Sequence, residues 1–194
     1  MQQYPKIGYY LQEIKITINM KIILSFFLMF ICLFSGYSQN DYPEPAKTPA
    51  RLFYIQHSDN HNTYVYDANI KAGIIDSSHP INSYRIVYTQ NGIKKPLSRI
   101  QKKFAYGMIL LDSKHNLFKL RLASKKKIFF YLSYDKNKGA RIYVTVNKHK
   151  MYLDKMSIQL KNGIFGINLG FEYVLFYGKD YNSGKPTIEK YEPK

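Results

Sequence analysis

The side chains with chemistry to offer are few and scattered along the chain. His57 and His61 flank Asp59, and two imidazoles with a carboxylate are ordinary zinc or copper ligands. That spacing is common by chance, and His79, His115 and His149 fall in separate turns, so no metal site is expected. Asp67 and Asn69 stand two residues apart at a strand end. Such a pair of acceptors either faces a ligand or hydrogen-bonds the backbone of its own turn. Gln101 and Tyr106 place polar tips beside an apolar stripe, where they line a pocket or satisfy buried backbone groups. Gathered around one pocket, Asp67, Asn69, Gln101 and Tyr106 would make an enzyme of unknown reaction.

No set of residues is specific to a reaction. Gly163, Gly166 and Gly170 follow a turn and not a strand entering a helix, so they are no phosphate loop. A G-x-S-x-G elbow is absent. With 13 Asp and Glu in all, paired acids for glycoside hydrolysis are hard to find. The one cysteine, Cys32, cannot make an internal disulfide, a thiolate zinc site or a redox pair. No cofactor is expected.

Charge and rings say more than motifs do. The chain carries 29 Lys plus Arg, and 19 tyrosines and 12 phenylalanines without a tryptophan. Residues 94–161 hold 18 of those basic residues against Asp112, Asp135 and Asp154. A field of that sign draws in phosphates, sulfates, uronates and anionic lipid surfaces. The other reading is compositional. In a chain rich in Lys, Asn, Ile, Tyr and Phe, lysines also keep a β-rich surface soluble and its edges unpaired.

These residues must be positioned by elements that the sequence also outlines. The length of 194 residues suits one domain with a processed segment, and 45% apolar residues can build its core. Met20-Lys21 followed by the apolar run Ile22–Phe34, with Gly36 and Ser38 before a cut at Gln39, reads as a secretory signal. This run of thirteen residues, interrupted only by Ser25, falls short of the roughly 20 that span a bilayer. Residues 1–19 then read as an upstream extension, 20–38 as signal, 39–50 as a proline-bearing linker and 51–194 as a single β-rich domain. Export to the periplasm or beyond is the expectation, with no membrane span in the mature chain.

From Arg51 onward, short β-branched and aromatic runs alternate with turn residues. Strands are expected at Arg51–His57, Thr63–Asp67, Ile81–Gln90, Met108–Asp112, Leu117–Ala123 and Ile128–Tyr134. Others follow at Ala140–Asn147, Met151–Leu160, Phe171–Tyr177 and Pro186–Tyr191. Leu97, Ile100, Gln101 and Phe104 have helical spacing, with Gly107 suited to close that helix at positive φ. The fold class is all-β, or β-rich α+β. It is an antiparallel meander of about 8–10 strands closed as a barrel or sandwich, with one short helix near 96–105.

Alternation assigns the faces. Phe118, Leu120 and Leu122 point inward, leaving Lys119 and Arg121 outside; Ile142, Val144 and Val146 leave Arg141 and Tyr143 outside. Phe129 and Tyr131 share that outer face if the three strands are neighbours. Cations interleaved with rings suit single-stranded nucleic acid or sugars, unless a helix or second sheet covers them.

Several stretches resemble a known family. They are Leu52-Phe53-Tyr54-Ile55-Gln56, Tyr66-Asp67-Ala68-Asn69, Ile100-Gln101-Lys102-Lys103-Phe104-Ala105-Tyr106-Gly107, and the ending from Tyr173 through Gly178 and Asp180 to Ser183-Gly184-Lys185. Together they are similar to domain of unknown function 4833, over roughly residues 45–194. The resemblance implies a signal-bearing bacterial protein and supplies no activity and no catalytic residue. Two positions depart from it: Tyr84-Arg85-Ile86 stands where members often carry tryptophan, and His57 where arginine is frequent. The leading expectation is a non-catalytic exported module that binds an anionic partner, whether glycan, lipopolysaccharide head group or nucleic acid. An enzyme, or a structural subunit of an envelope protein assembly, are the alternatives.

Overall fold

The computed structural model describes residues 43–58, 62–161 and 170–193. The signal, the extension, Asp59 and His61, and Gly163 and Gly166 lie outside these residues. The fold is all-β, a strongly curled half-barrel sheet with one short helix.

The strands in chain order are β1 (Arg51–His57), β2 (Asn62–Ala68), β3 (Ile70–Lys71), β4 (Ile74–Ile75), β5 (Ile81–Val87) and β6 (Ile93–Pro96). Then come the helix α1 (Arg99–Phe104), β7 (Met108–Lys114), β8 (Leu117–Leu122), β9 (Phe130–Asp135) and β10 (Gly139–Val146). The long β11 (His149–Leu160), β12 (Phe171–Asp180) and β13 (Pro186–Tyr191) complete the set. All strands but the small β3–β4 hairpin belong to one sheet.

That sheet divides at β11. Its residues Met151 and Tyr152 pair antiparallel with β10, whereas Lys155–Ile158 pair with β1 in parallel. Along its other edge β11 pairs with β12. One wing therefore runs β1–β2–β5–β6 and the other β10–β9–β8–β7, and both leave the same long strand. The parallel β1/β11 pair joins segments about a hundred residues apart, a pairing that a meander of local hairpins does not contain.

The wings curl so that their inner faces meet. The Phe53 ring stacks on Tyr66 at 4.3 Å within its own wing and on Phe130 of the other wing at 5.6 Å. Leu120, Leu132, Ile142 and Val144 fill the same core and are almost wholly buried. Burying side chains of this size stabilises each by about 1.5–3 kcal/mol before entropy is counted.

The helix follows the sequence only in part. Ser98 caps it, its hydroxyl accepting from the Gln101 N–H while the Gln101 side chain accepts from the Ser98 N–H. Leu97 before it is buried, but Ile100 and Phe104 are 72% and 63% exposed, so the apolar stripe faces solvent instead of the core. Gly107 is needed for space, not for positive φ: a Cβ there would sit 2.0 Å from the Lys102 carbonyl oxygen.

Candidate functional site

Asp67, Asn69, Gln101 and Tyr106 stand in separate networks. On β2, Tyr64 and Tyr66 point into the core, so Val65 and Asp67 lie on the opposite face. There Asp67 accepts from Arg51 Nε at 2.6 Å and from the Tyr84 hydroxyl at 3.0 Å. Asn69 donates its side-chain amide to the His79 carbonyl at 2.8 Å, and its own carbonyl accepts from the Asp76 N–H. That closes the loop carrying β3 and β4. Gln101 is spent in the capping box.

Tyr106 lies on the inner side. Its ring stacks on Tyr64 at 3.5 Å, its hydroxyl hydrogen-bonds His57 Nε2 at 3.0 Å, and its carbonyl accepts from the Tyr66 hydroxyl at 2.8 Å. Burial, followed by the neighbouring Tyr106 and Tyr64, pushes the Tyr66 phenol well up, so it stays a donor. This network ties the turn after α1 to β1 and β2. His57 is occupied as a core histidine within it. Among the described residues no cluster of His, Cys, Asp or Glu could hold a metal ion.

Lys119, Arg121, Phe129, Tyr131, Arg141 and Tyr143 stand together on the outer face of the β8–β10 wing. Strand register makes a single row of it: Lys119 is opposite Tyr131, Tyr131 opposite Tyr143, Tyr143 opposite Tyr152, and Tyr152 opposite Lys179. The inward partners Phe118, Leu120, Leu122, Phe130, Leu132, Ile142 and Val144 are buried, which fixes the outward set.

The rings face one another. Tyr131 and Tyr143 stack at 5.0 Å with planes 10° apart, and Tyr152 stacks on Tyr181 at 5.0 Å. Tyr181 also meets Tyr143 edge-on at 5.4 Å. Cations occupy further ring faces. Lys150 Nζ lies 4.2 Å from the Tyr143 centroid and 3.4 Å from that of Tyr181, and Lys119 Nζ lies 4.5 Å from Phe129. With so much of their faces occupied, these tyrosines have chiefly edges and hydroxyls left to offer a ligand. Burial first, then Tyr181, Tyr131 and Tyr152, push the Tyr143 phenol upward, so it is a hydrogen-bond donor at neutral pH.

Tyr152, Tyr181, Lys150 and Lys179 extend this face beyond the three strands read from the sequence. Of these only Tyr152 lies in the expected strand Met151–Leu160, and the placement of all four beside β10 depends on the β10–β11 and β11–β12 registers.

Residues 53–190 match the family described as Domain of unknown function (DUF4833). The chain belongs to this family. No curated protein and no solved structure matches it. No helix among the described residues is long and apolar enough to cross a membrane.

Proposed function

We propose that this member of the family is a non-catalytic, exported binding module for an anionic partner, engaged by the outer face of β8–β12. The observation that carries the reading is the cross-strand row from Lys119 through Tyr131, Tyr143 and Tyr152 to Lys179, with Arg121, Arg141 and Lys150 beside it. Ammonium and guanidinium groups attract anions, and phenol hydroxyls donate to their oxygens.

The stacked rings favour one kind of polyanion over another. Nucleic acid bases bind single-strand readers by stacking on open aromatic faces. Here Tyr131 and Tyr143 already stack on each other and Lys150 covers Tyr143 and Tyr181. Carboxylate, sulfate or phosphate groups on a sugar chain need donors and charge more than free ring faces. An acidic glycan, or the phosphorylated saccharide of a lipopolysaccharide head group, therefore fits better than a nucleic acid. The apolar run before Gln39 supports an exported location, where such polymers are met.

The test is retention of the purified protein on immobilised acidic glycan, lipopolysaccharide and single-stranded DNA, eluted with rising salt. Selective retention on a saccharide, weakened when Lys119, Arg121 and Arg141 are together replaced by Gln, is the expected result. Equal weak retention on all three would return the basic excess to composition.

A further inference from the structure

The division of the sheet leaves a crevice at the Lys179 end of the outer row. β10 leaves β11 after Tyr152 and β1 joins it from Lys155, so Leu153 and Asp154 sit at the fork. On the β12 side the register shifts between the same residues: Leu153 is opposite Gly178 and Lys155 opposite Tyr177. Asp154 is the extra residue of this bulge, a device that re-aims a side chain out of the regular ladder. Gly178 makes the bulge possible, because a Cβ there would lie 1.8 Å from the Tyr152 carbonyl oxygen.

Two cavities open at this fork, of about 620 Å³ and about 220 Å³. They share Arg51, Leu52, Asp154 and Lys179 as walls. The larger is within the range of small-molecule sites. Lys47 enters it from the N-terminal segment and Lys155 from β11. Lys155 Nζ is held 5.8 Å from the Tyr54 centroid and 5.6 Å from that of Tyr177, between two rings of the cavity wall.

Arg51 supplies an independent pointer. Its Nε donates to Asp67 and its Nη2 donates to the Tyr84 hydroxyl at 3.1 Å, which fix the guanidinium. Its Nη1 is buried without a hydrogen-bond partner among the described residues. A buried donor left unmade costs about 1–3 kcal/mol, and Arg51 is a wall residue of both cavities.

We propose that the fork binds a small hydroxylated anion, a sugar acid or sugar phosphate of monosaccharide size. Its charged group lies among Lys47, Lys155 and Lys179, and a hydroxyl donates to the Asp154 carboxylate. Asp154 is exposed at the fork, and its partial burial pushes the carboxyl up against the pull of Lys179 and Lys47. The site shares Lys179 with the end of the outer row, while Lys47 and Lys155 belong to the fork alone and Lys119 and Arg121, at the other end of the row, line neither cavity.

Isothermal titration of the purified protein with glucuronate, glucose 6-phosphate, inorganic phosphate and glucose tests it. Saturable one-site binding of the sugar anions is expected, with inorganic phosphate weaker and glucose silent. K155Q combined with K179Q should weaken the sugar anions at least about tenfold, since two charge-assisted contacts are lost. Asp154→Asn, nearly isosteric and so expected to keep the fold, should lower the preference for sugar anions over inorganic phosphate, because the lost negative charge favours every anion while the hydroxyl contact is lost by the sugars alone. Lys136→Gln, at an exposed lysine of the β9–β10 turn that lines neither cavity, should leave all four titrations as they are. Absence of saturable heat with either sugar anion into the millimolar range, or equal affinities in the wild type and the Lys155/Lys179 variant, would overturn the proposal. An Asp154→Asn protein with an unchanged preference for sugar anions over inorganic phosphate would overturn the hydroxyl contact.

Discussion

The outer faces of the two wings are built from similar residues and meet different fates. On the β1–β2–β5 wing, Tyr54, Val65 and Ile86 form a small buried cluster with Tyr84 and Tyr88 against it. On the β8–β10 wing, Tyr131 and Tyr143 stay half-buried among cations. The difference is the N-terminal segment. Pro45 is buried, Gln56 donates to the Pro43 carbonyl at 3.2 Å, and the Ala68 N–H donates to the Ala50 carbonyl at 2.7 Å. Burial, then a hydrogen bond to the Glu44 carboxylate, push the Tyr54 phenol far up. Aromatic alternation by itself therefore does not mark a binding face. What distinguishes the β8–β10 face is rings that no segment among the described residues covers and that cations meet instead.

The largest effect should come from removing a ring on the covered face. Tyr54→Ala is expected to cost about 3–5 kcal/mol in denaturant unfolding, as for other large buried rings. Tyr131→Ala, which loses mainly one stacked pair, should cost about 1 kcal/mol and weaken saccharide retention. Equal costs at the two positions would erase the distinction between the faces.

Gln56→Leu sharpens the same comparison. Gln56 is buried and donates both to Pro43 and to the Thr63 hydroxyl at 3.0 Å. Its loss should cost about 1–3 kcal/mol and make the segment at 43–50 more open to proteolysis. Unchanged cleavage there would mean that the segment is held by other contacts.

Much of this arrangement was legible beforehand, and the limits are physical. Period-two alternation placed Phe118, Leu120 and Leu122 inside and Lys119 and Arg121 outside, because a buried face fixes every second residue. The strand expected at Ile81–Gln90 is β5, and Asn91 and Gly92, both at positive φ, turn the chain into β6. The helical spacing of Leu97, Ile100 and Phe104 was read as a stripe toward the core, yet Ile100 and Phe104 face solvent. Six residues of α1 follow strand β6, and where that edge leaves the helix is not a property of its own periodicity. The β1/β11 pairing, and with it the fork, joins distant segments that no local pattern announces. Asp67 and Tyr106 look alike as polar residues near apolar runs, and only the opposite faces of β2 separate them.

A smaller effect concerns the C-terminal strands. His149 Nδ1 donates to Glu189 at 2.7 Å and Nε2 to Asp180 at 2.8 Å, which requires the imidazolium. Asp180, and then Glu189, raise the His149 pKa above its usual value. That contribution is complete below about pH 6.5 and is lost as pH rises through the higher folded value. Asp180 is lowered by the Ser183 hydroxyl first, then by the Ser183 N–H and His149, so its share disappears only in acid. The melting temperature of H149Q should thus fall below that of the wild type most clearly near about pH 5.5, with the gap narrowing by about pH 9. A gap that widens with pH would contradict the ion-pair assignment.

The central claim is that the open wing is a charged saccharide-binding face. Its most direct test is the affinity of the protein for a soluble acidic glycan as a function of salt, beside that of the Lys119, Arg121 and Arg141 triple Gln variant. The account predicts a steep fall with salt for the wild type and a clearly shallower slope for the variant, with folding stability changed by no more than about 0.5 kcal/mol. Parallel slopes at equal affinity would contradict it and leave the basic face with a role in solubility alone.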